Sequence, residues 1–102
     1  MFMRVTSGRY DRSRETETIR FTEQQLAPAL WHLQGCRGYY VGVNRETGSH
    51  CSVSLWESLE QAQILREALG QLMEGIRDIG IDLEATETYE IIAEIEAHEI
   101  AR

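Results

Sequence analysis

The sequence predicts an α+β fold, a four-stranded antiparallel sheet with two helices packed on one face. The first observation behind this is the order of patterns along the chain: β-branched and aromatic segments alternate with helically spaced ones as strand, helix, strand, strand, helix, strand. The second is the short polar turn between the two middle strands, which makes them a hairpin. Right-handed crossovers over both helices then point to the ferredoxin-like βαββαβ plait, with the second sheet face left bare.

Residues 2–9, FMRVTSGR, read as the first strand. Over residues 14–33 the pattern is helical, with Ile19, Leu26, Leu30 and Leu33 on one stripe. Thr22 and Gln25 form a candidate capping box stapled by Phe21 and Leu26, which would start the well-formed helix at Glu23. Pro28 removes an interior hydrogen bond and clashes one turn back, so a kink or irregular turn is expected before it. Gly35 ends the helix, and residues 36–45, CRGYYVGVNR, follow as the second strand.

A turn over residues 46–49 returns the chain into a third strand over residues 50–56, in a register that sets Tyr40 opposite Leu55 and Asn44 opposite Cys51. One face of this hairpin carries Tyr40, Gly42 and Asn44 beside Cys51, Val53 and Leu55. The other carries Tyr39, Val41, Val43 and Arg45 beside His50, Ser52, Ser54 and Trp56. Cys51 then lies about 26 Å along the strand from Cys36, too far for an intrachain disulfide.

Ser58 with Gln61 is a capping box for the second helix, whose stripe Ala62, Leu65, Leu69, Leu72 and Ile76 has the cleanest spacing in the chain. Gly70 and Gly75 weaken it, so a break near Gly70 and an end by Gly80 are expected. Residues 86–95 alternate as the fourth strand. The folded domain is expected over residues 1–95 and a polar tail over residues 96–102.

A chain of 102 residues fits one domain. Seventeen acidic against ten basic residues, all of the latter Arg, give a net charge of -7. That balance repels phosphate, so neither nucleic acid nor an anionic membrane is an expected partner. No apolar run reaches the roughly 18 to 20 residues a bilayer span needs, and MFMRVTSGRY lacks a basic segment followed by an apolar one, so a soluble cytoplasmic protein is expected. Two cysteines make neither a disulfide scaffold nor a zinc grouping, and no metal is expected. Both hairpin faces are too apolar to be left in water, so a homodimer closed through the bare sheet face is expected.

The segments GCRGYYVGV over residues 35–43 and CSVSLWES over residues 51–58 resemble the antibiotic biosynthesis monooxygenase-like family. Its hairpin reads proline-glycine-phenylalanine-x-glycine-tyrosine, followed by a strand closing in Trp-Glu-Ser at the start of the second helix. The likeness runs in element order from about Phe2 to Ile95, with Gln34 and Cys36 standing where Pro and Phe are usual. It implies a dimeric α/β barrel. It also implies, in one branch, cofactor-free oxygenation of aromatic polyketides or quinols, with an Asn four residues before the Trp; Trp56 matches that Trp and Ser52 holds the Asn position. A haem-degrading branch wants an Asn on the first strand and a His on the second helix, and this chain has neither.

The resemblance therefore implies a cofactor-independent monooxygenase-like protein acting on or binding a small aromatic or hydrophobic molecule between helices and sheet. A non-enzymatic ligand-binding or dimeric interaction domain on the same barrel is the second reading. Oxygenation without a cofactor needs a dry pocket, polar groups that orient an aromatic anion, and a stabiliser for the reduced oxygen beside it. Trp56, Asn44 and His50 are the candidate catalytic residues, and Tyr39, Tyr40, Ser52 and Trp31 the candidate substrate-binding ones.

Each has a plainer reading. A Trp closing a strand before a helix cap is first a packing anchor. His50 beside a turn is first a partly solvated surface group, and His32 suits the negative end of a helix. Tyr39 and Tyr40 point to opposite faces, so at most one lines any given pocket. Cys36 and Cys51 read as small buried hydrophobes. Glu94 and His98 have ligand spacing but no third ligand.

Overall fold

The structure, a computed structural model, describes residues 1–95 apart from the Arg66 side chain. Its elements are β1 (Phe2–Arg9), α1 (Glu15–Phe21), a π-helical turn (Thr22–Leu26), α2 (Ala27–Trp31), β2 (Cys36–Asn44), β3 (Ser49–Trp56), α3 (Leu59–Gly70), α4 (Met73–Asp78) and β4 (Asp82–Glu90). The strands lie in the order β2-β3-β1-β4, all neighbours antiparallel. This is the ferredoxin-like plait that the element order predicts.

The first helical arm starts earlier than the Thr22–Gln25 capping box suggests. Asp11 caps the chain instead: its carboxylate accepts from the Ser13 backbone at 3.0 Å and opens a 3₁₀ turn (Arg12–Arg14) that runs into α1. Thr22 sits inside the arm, where its hydroxyl donates to the Thr18 carbonyl at 2.9 Å. The irregularity expected before Pro28 is the π-helical turn itself. It lets Pro28 fall in the first turn of α2, where a missing N–H costs nothing. The wider turn also shifts the helical phase, so Thr18, Leu26 and Leu30 are the buried positions while Ile19 is 49% exposed.

The hairpin turn comes one residue earlier than predicted. Asn44 Oδ1 accepts from the backbone of Glu46 at 2.9 Å and of Thr47 at 3.1 Å, and Gly48 supplies the positive φ of 77° that the return requires. Asn44 therefore pairs with Ser49, Tyr40 with Val53 and Gly42 with Cys51. The slip from the expected register is two residues, so every side chain keeps its predicted face. Both cysteines are free, and Cys51 is exposed rather than buried.

Tyr39, Val41 and Val43 share the helix-covered face with His50, Ser52, Ser54 and Trp56. The bare face carries Tyr40, Val53 and Leu55, joined by Met3 and Val5 of β1 and Tyr89 of β4. Tyr40 there is 64% exposed.

Ser58 caps α3 as expected, accepting from the Gln61 backbone at 3.2 Å. The α3–α4 stripe buries Ala62, Leu65, Leu69 and Ile76, with Leu72 half-buried at the break after Gly70. Leu26, Leu30, Trp56, Ala62, Leu65 and Leu69 form the main core. A second cluster gathers Tyr10, Ile76 and Ile81 at the other end of the sheet.

The fourth strand departs from the predicted residues 86–95. Its neighbour among the described residues, β1, pairs Arg9 with Asp82 and Phe2 with Glu90, and beyond them the Ile91 backbone donates to the Met1 carbonyl at 2.9 Å. Residues 91–95 therefore carry strand-like alternation without a strand to pair with. A bulge between Ser7 and Gly8 brings the two backbones so close that a Cβ on Gly8 would stand 2.0 Å from the Asp82 carbonyl oxygen. The edge strand β4 carries Asp82, Glu84, Glu87 and Glu90 along its length, all exposed. The polar tail over residues 96–102, with His98, lies outside the described residues. Among the described residues no helix is long and apolar enough to cross a membrane.

Candidate functional site

Alternation along β3 drives His50, Ser52, Ser54 and Trp56 under the helices, an unusually polar set for a covered sheet face. Trp56 and Ser54 satisfy each other, the indole Nε1 donating to Ser54 Oγ at 2.7 Å. Trp56 is fully buried among the α3 leucines and presents no surface to a ligand.

The other two β3 residues, with Thr6 of β1 and Tyr39 of β2, line a cavity of about 20 Å³ roofed by Phe21, Thr22, Leu26 and Leu69. That is room for a single water. His50 is only 6% exposed, not the partly solvated group its place beside a turn suggests. Burial pushes its pKa below the usual value, so the imidazole is held neutral. Its Nδ1 has no hydrogen-bond partner among the described residues, and neither has Thr18 Oγ1. Burial also raises the Tyr39 phenol, against smaller opposing pulls from Ser52 and Arg4.

The helical arm stands off β2 and leaves two clefts of about 390 and 400 Å³. The first is lined by Leu26, Leu30, Trp31, Leu33, Cys36, Arg37 and Tyr39; the second by Glu15, Thr18, Ile19, Val41, Val43 and Arg45. Thr22, at the start of the π-helical turn, lines both clefts and the inner cavity. At the mouth of the second cleft Glu15 is clamped by the Arg45 guanidinium, with contacts at 2.9 to 3.1 Å, and by the Tyr10 hydroxyl at 2.9 Å. These bonds lower the Glu15 pKa, the Arg45 contact most.

Of the residues singled out in the sequence, the structure brings together Tyr39, His50 and Ser52. Trp31, 80% exposed, stands at the lip of the first cleft, and Trp56 lies beneath in the core. Asn44 is engaged by the hairpin turn, and Tyr40 projects from the opposite sheet face. Thr6, Thr18 and Thr22 were not legible as site residues. The one signal was the polar alternation of His50, Ser52 and Ser54, which marks a floor that is buried yet not greasy. Among the described residues no group of three or more His, Cys, Asp or Glu could hold a metal ion.

No known protein-family model matches the chain, and no curated protein matches it in sequence. Solved structures do match in shape. A putative antibiotic biosynthesis monooxygenase from Deinococcus radiodurans superposes with a TM-score of 0.75 at 16% identity, covering 95% of this chain and 98% of the other. A dimeric ferredoxin-like protein from an uncultured marine organism gives 0.74 at 13% identity, over 94% and 98%. A monooxygenase from the gene ActVA-Orf6 of Streptomyces coelicolor, in complex with Nanaomycin D, gives 0.70 at 10% identity, over 94% and 92%. By geometry rather than by sequence identity, the chain has the ferredoxin-like fold of the antibiotic biosynthesis monooxygenase-like structures.

Proposed function

We propose that this protein is a cofactor-independent monooxygenase-like protein that binds a small aromatic or hydrophobic molecule between the helical arm and the sheet, and that it works as a soluble, cytoplasmic homodimer. The observation that carries the reading is the pairing of two clefts, whose linings mix Leu, Ile and Val side chains with Arg37, Glu15 and Arg45 at their margins, with an adjoining buried cavity that holds His50 and Ser52 and shares Tyr39 with the first cleft. Pockets that take small molecules combine apolar lining with a few convergent polar groups in this way. A neighbour of the same fold with Nanaomycin D bound supports a small-molecule ligand.

In this reading the clefts hold the aromatic ring and the neutral His50 is the base. The ligand loses a proton to the imidazole, its anion passes one electron to dioxygen, the substrate radical and superoxide combine as a peroxide anion, and the imidazolium returns its proton to give the hydroperoxide. Loss of water from the hydroperoxide leaves the oxidised ring. Burial of the site keeps the anion and the reduced oxygen away from bulk water, where their charges are screened.

The dimer rests on the bare sheet face, where Tyr40, Val53, Leu55, Met3, Val5 and Tyr89 run across the four strands, with Glu87 opposite Val5 the charged residue among them. A twofold axis packing two such faces removes this surface from water. The dimeric neighbour of the same fold supports it.

Oxygen uptake measured with a panel of hydroquinones and anthrones, without added metal or flavin, tests the enzymatic reading. Uptake that falls at least tenfold in His50→Gln is the expected result. Binding of the same panel with no uptake leaves the second reading, a ligand-binding domain without chemistry, and no binding at all overturns both.

A further inference from the structure

We propose that His50 Nδ1 is a recognition point that selects ligands bearing a hydroxyl donor over ligands of the same shape without one. The inference rests on the ligand reading above and assigns the atom that sets its specificity. His50 is 94% removed from solvent, the complement of its 6% exposure, and its Nδ1 lacks a partner among the described residues.

A buried polar atom left unpaired is costly, so its partner is normally a ligand or an ordered water. The cavity beside it, with room for one water or one hydroxyl, is bounded by Thr6, Ser52 and Tyr39 and touches the clefts through Thr22.

The direction of the hydrogen bond follows from the tautomer. A neutral imidazole carries its proton on one nitrogen only. A bare lone pair on Nδ1 goes with the proton on Nε2, and this is the tautomer that the proposal requires and the nitrogen spectrum tests. In this proposal a ring seated in the first cleft puts its hydroxyl into the cavity past Thr22, and an ether in the same position has nothing to donate. Leu26, Tyr39 and Val41 each line the cavity and one cleft, so the wall a hydroxyl must pass is a single side chain thick.

The experiment compares 1-naphthol with 1-methoxynaphthalene, using protein labelled with ¹⁵N-histidine. In the free protein the His50 Nδ1 resonance is expected at a pyridine-type position. Naphthol should move it and quench Trp31 fluorescence, whereas the methyl ether should quench Trp31 and leave the nitrogen unmoved. In His50→Phe the affinity for naphthol should fall roughly fivefold to tenfold, to that of the ether, and His50→Gln, which keeps an acceptor, should recover much of it. Equal binding of both probes with an unmoved nitrogen, or a proton found on Nδ1, overturns this inference and leaves the cleft reading standing. If neither probe binds, by Trp31 quenching or by titration calorimetry, the cleft reading fails with it.

Discussion

His50 shows how a single buried base couples to folding. Burial lowers its pKa in the native state, so between that value and the unfolded value near 6.5 the unfolded chain binds more protons. Stability is therefore full above about pH 6.5 and declines as the pH falls below it. The paired carboxylates Glu15 and Glu17 have lowered values, so their contribution is lost further down, through the ordinary carboxylate range. Urea unfolding at pH 5, 6 and 7 is expected to show the decline in the native protein and a flatter profile in His50→Gln. An equal slope in both would place the pH dependence elsewhere. Ser54 has a different part: it is the acceptor for the Trp56 indole. Ser54→Ala leaves that N–H unpaired in the core and should cost about 1–3 kcal/mol by the same measurement.

At the scale of elements, the α3–α4 stripe was the most legible part of the chain, because its spacing depends only on the helical period and on burial against one neighbour. Leu65→Ala should cost about 2–5 kcal/mol in urea unfolding, whereas Leu59→Ala, at a position 42% exposed, should stay within about 0.5 kcal/mol. The first arm was half legible. Pro28 announces an irregular turn, but no pattern in the residues says that it is a π-helical one, or that Asp11 rather than Thr22 begins the helix. The limits of β4 were hidden for another reason. Alternation over residues 91–95 is a property of the segment, while a strand is a property of a pair, and β1 runs out first. The candidate site was legible only where alternation on β3 fixed its face. The threonines that complete it come from other elements, through contacts no local pattern records.

At the scale of the molecule, one layer of helices over one sheet leaves the opposite face to be covered by something else. A carboxylate introduced by Leu55→Glu would be trapped in a dry contact between sheets, a cost of several kcal/mol without a partner. Sedimentation equilibrium at micromolar concentration is expected to give a dimer for the native protein and a monomer for Leu55→Glu. A native monomer would refute the paired assembly.

The row of acidic residues along β4 has a separate effect. An outermost strand is a template for any passing chain, and here four carboxylates fringe it. At neutral pH mutual repulsion keeps colliding molecules from stacking rim to rim, so the particle stays a closed unit rather than the first ply of a fibre. With neutral residues in place of those carboxylates the same rim would turn adhesive.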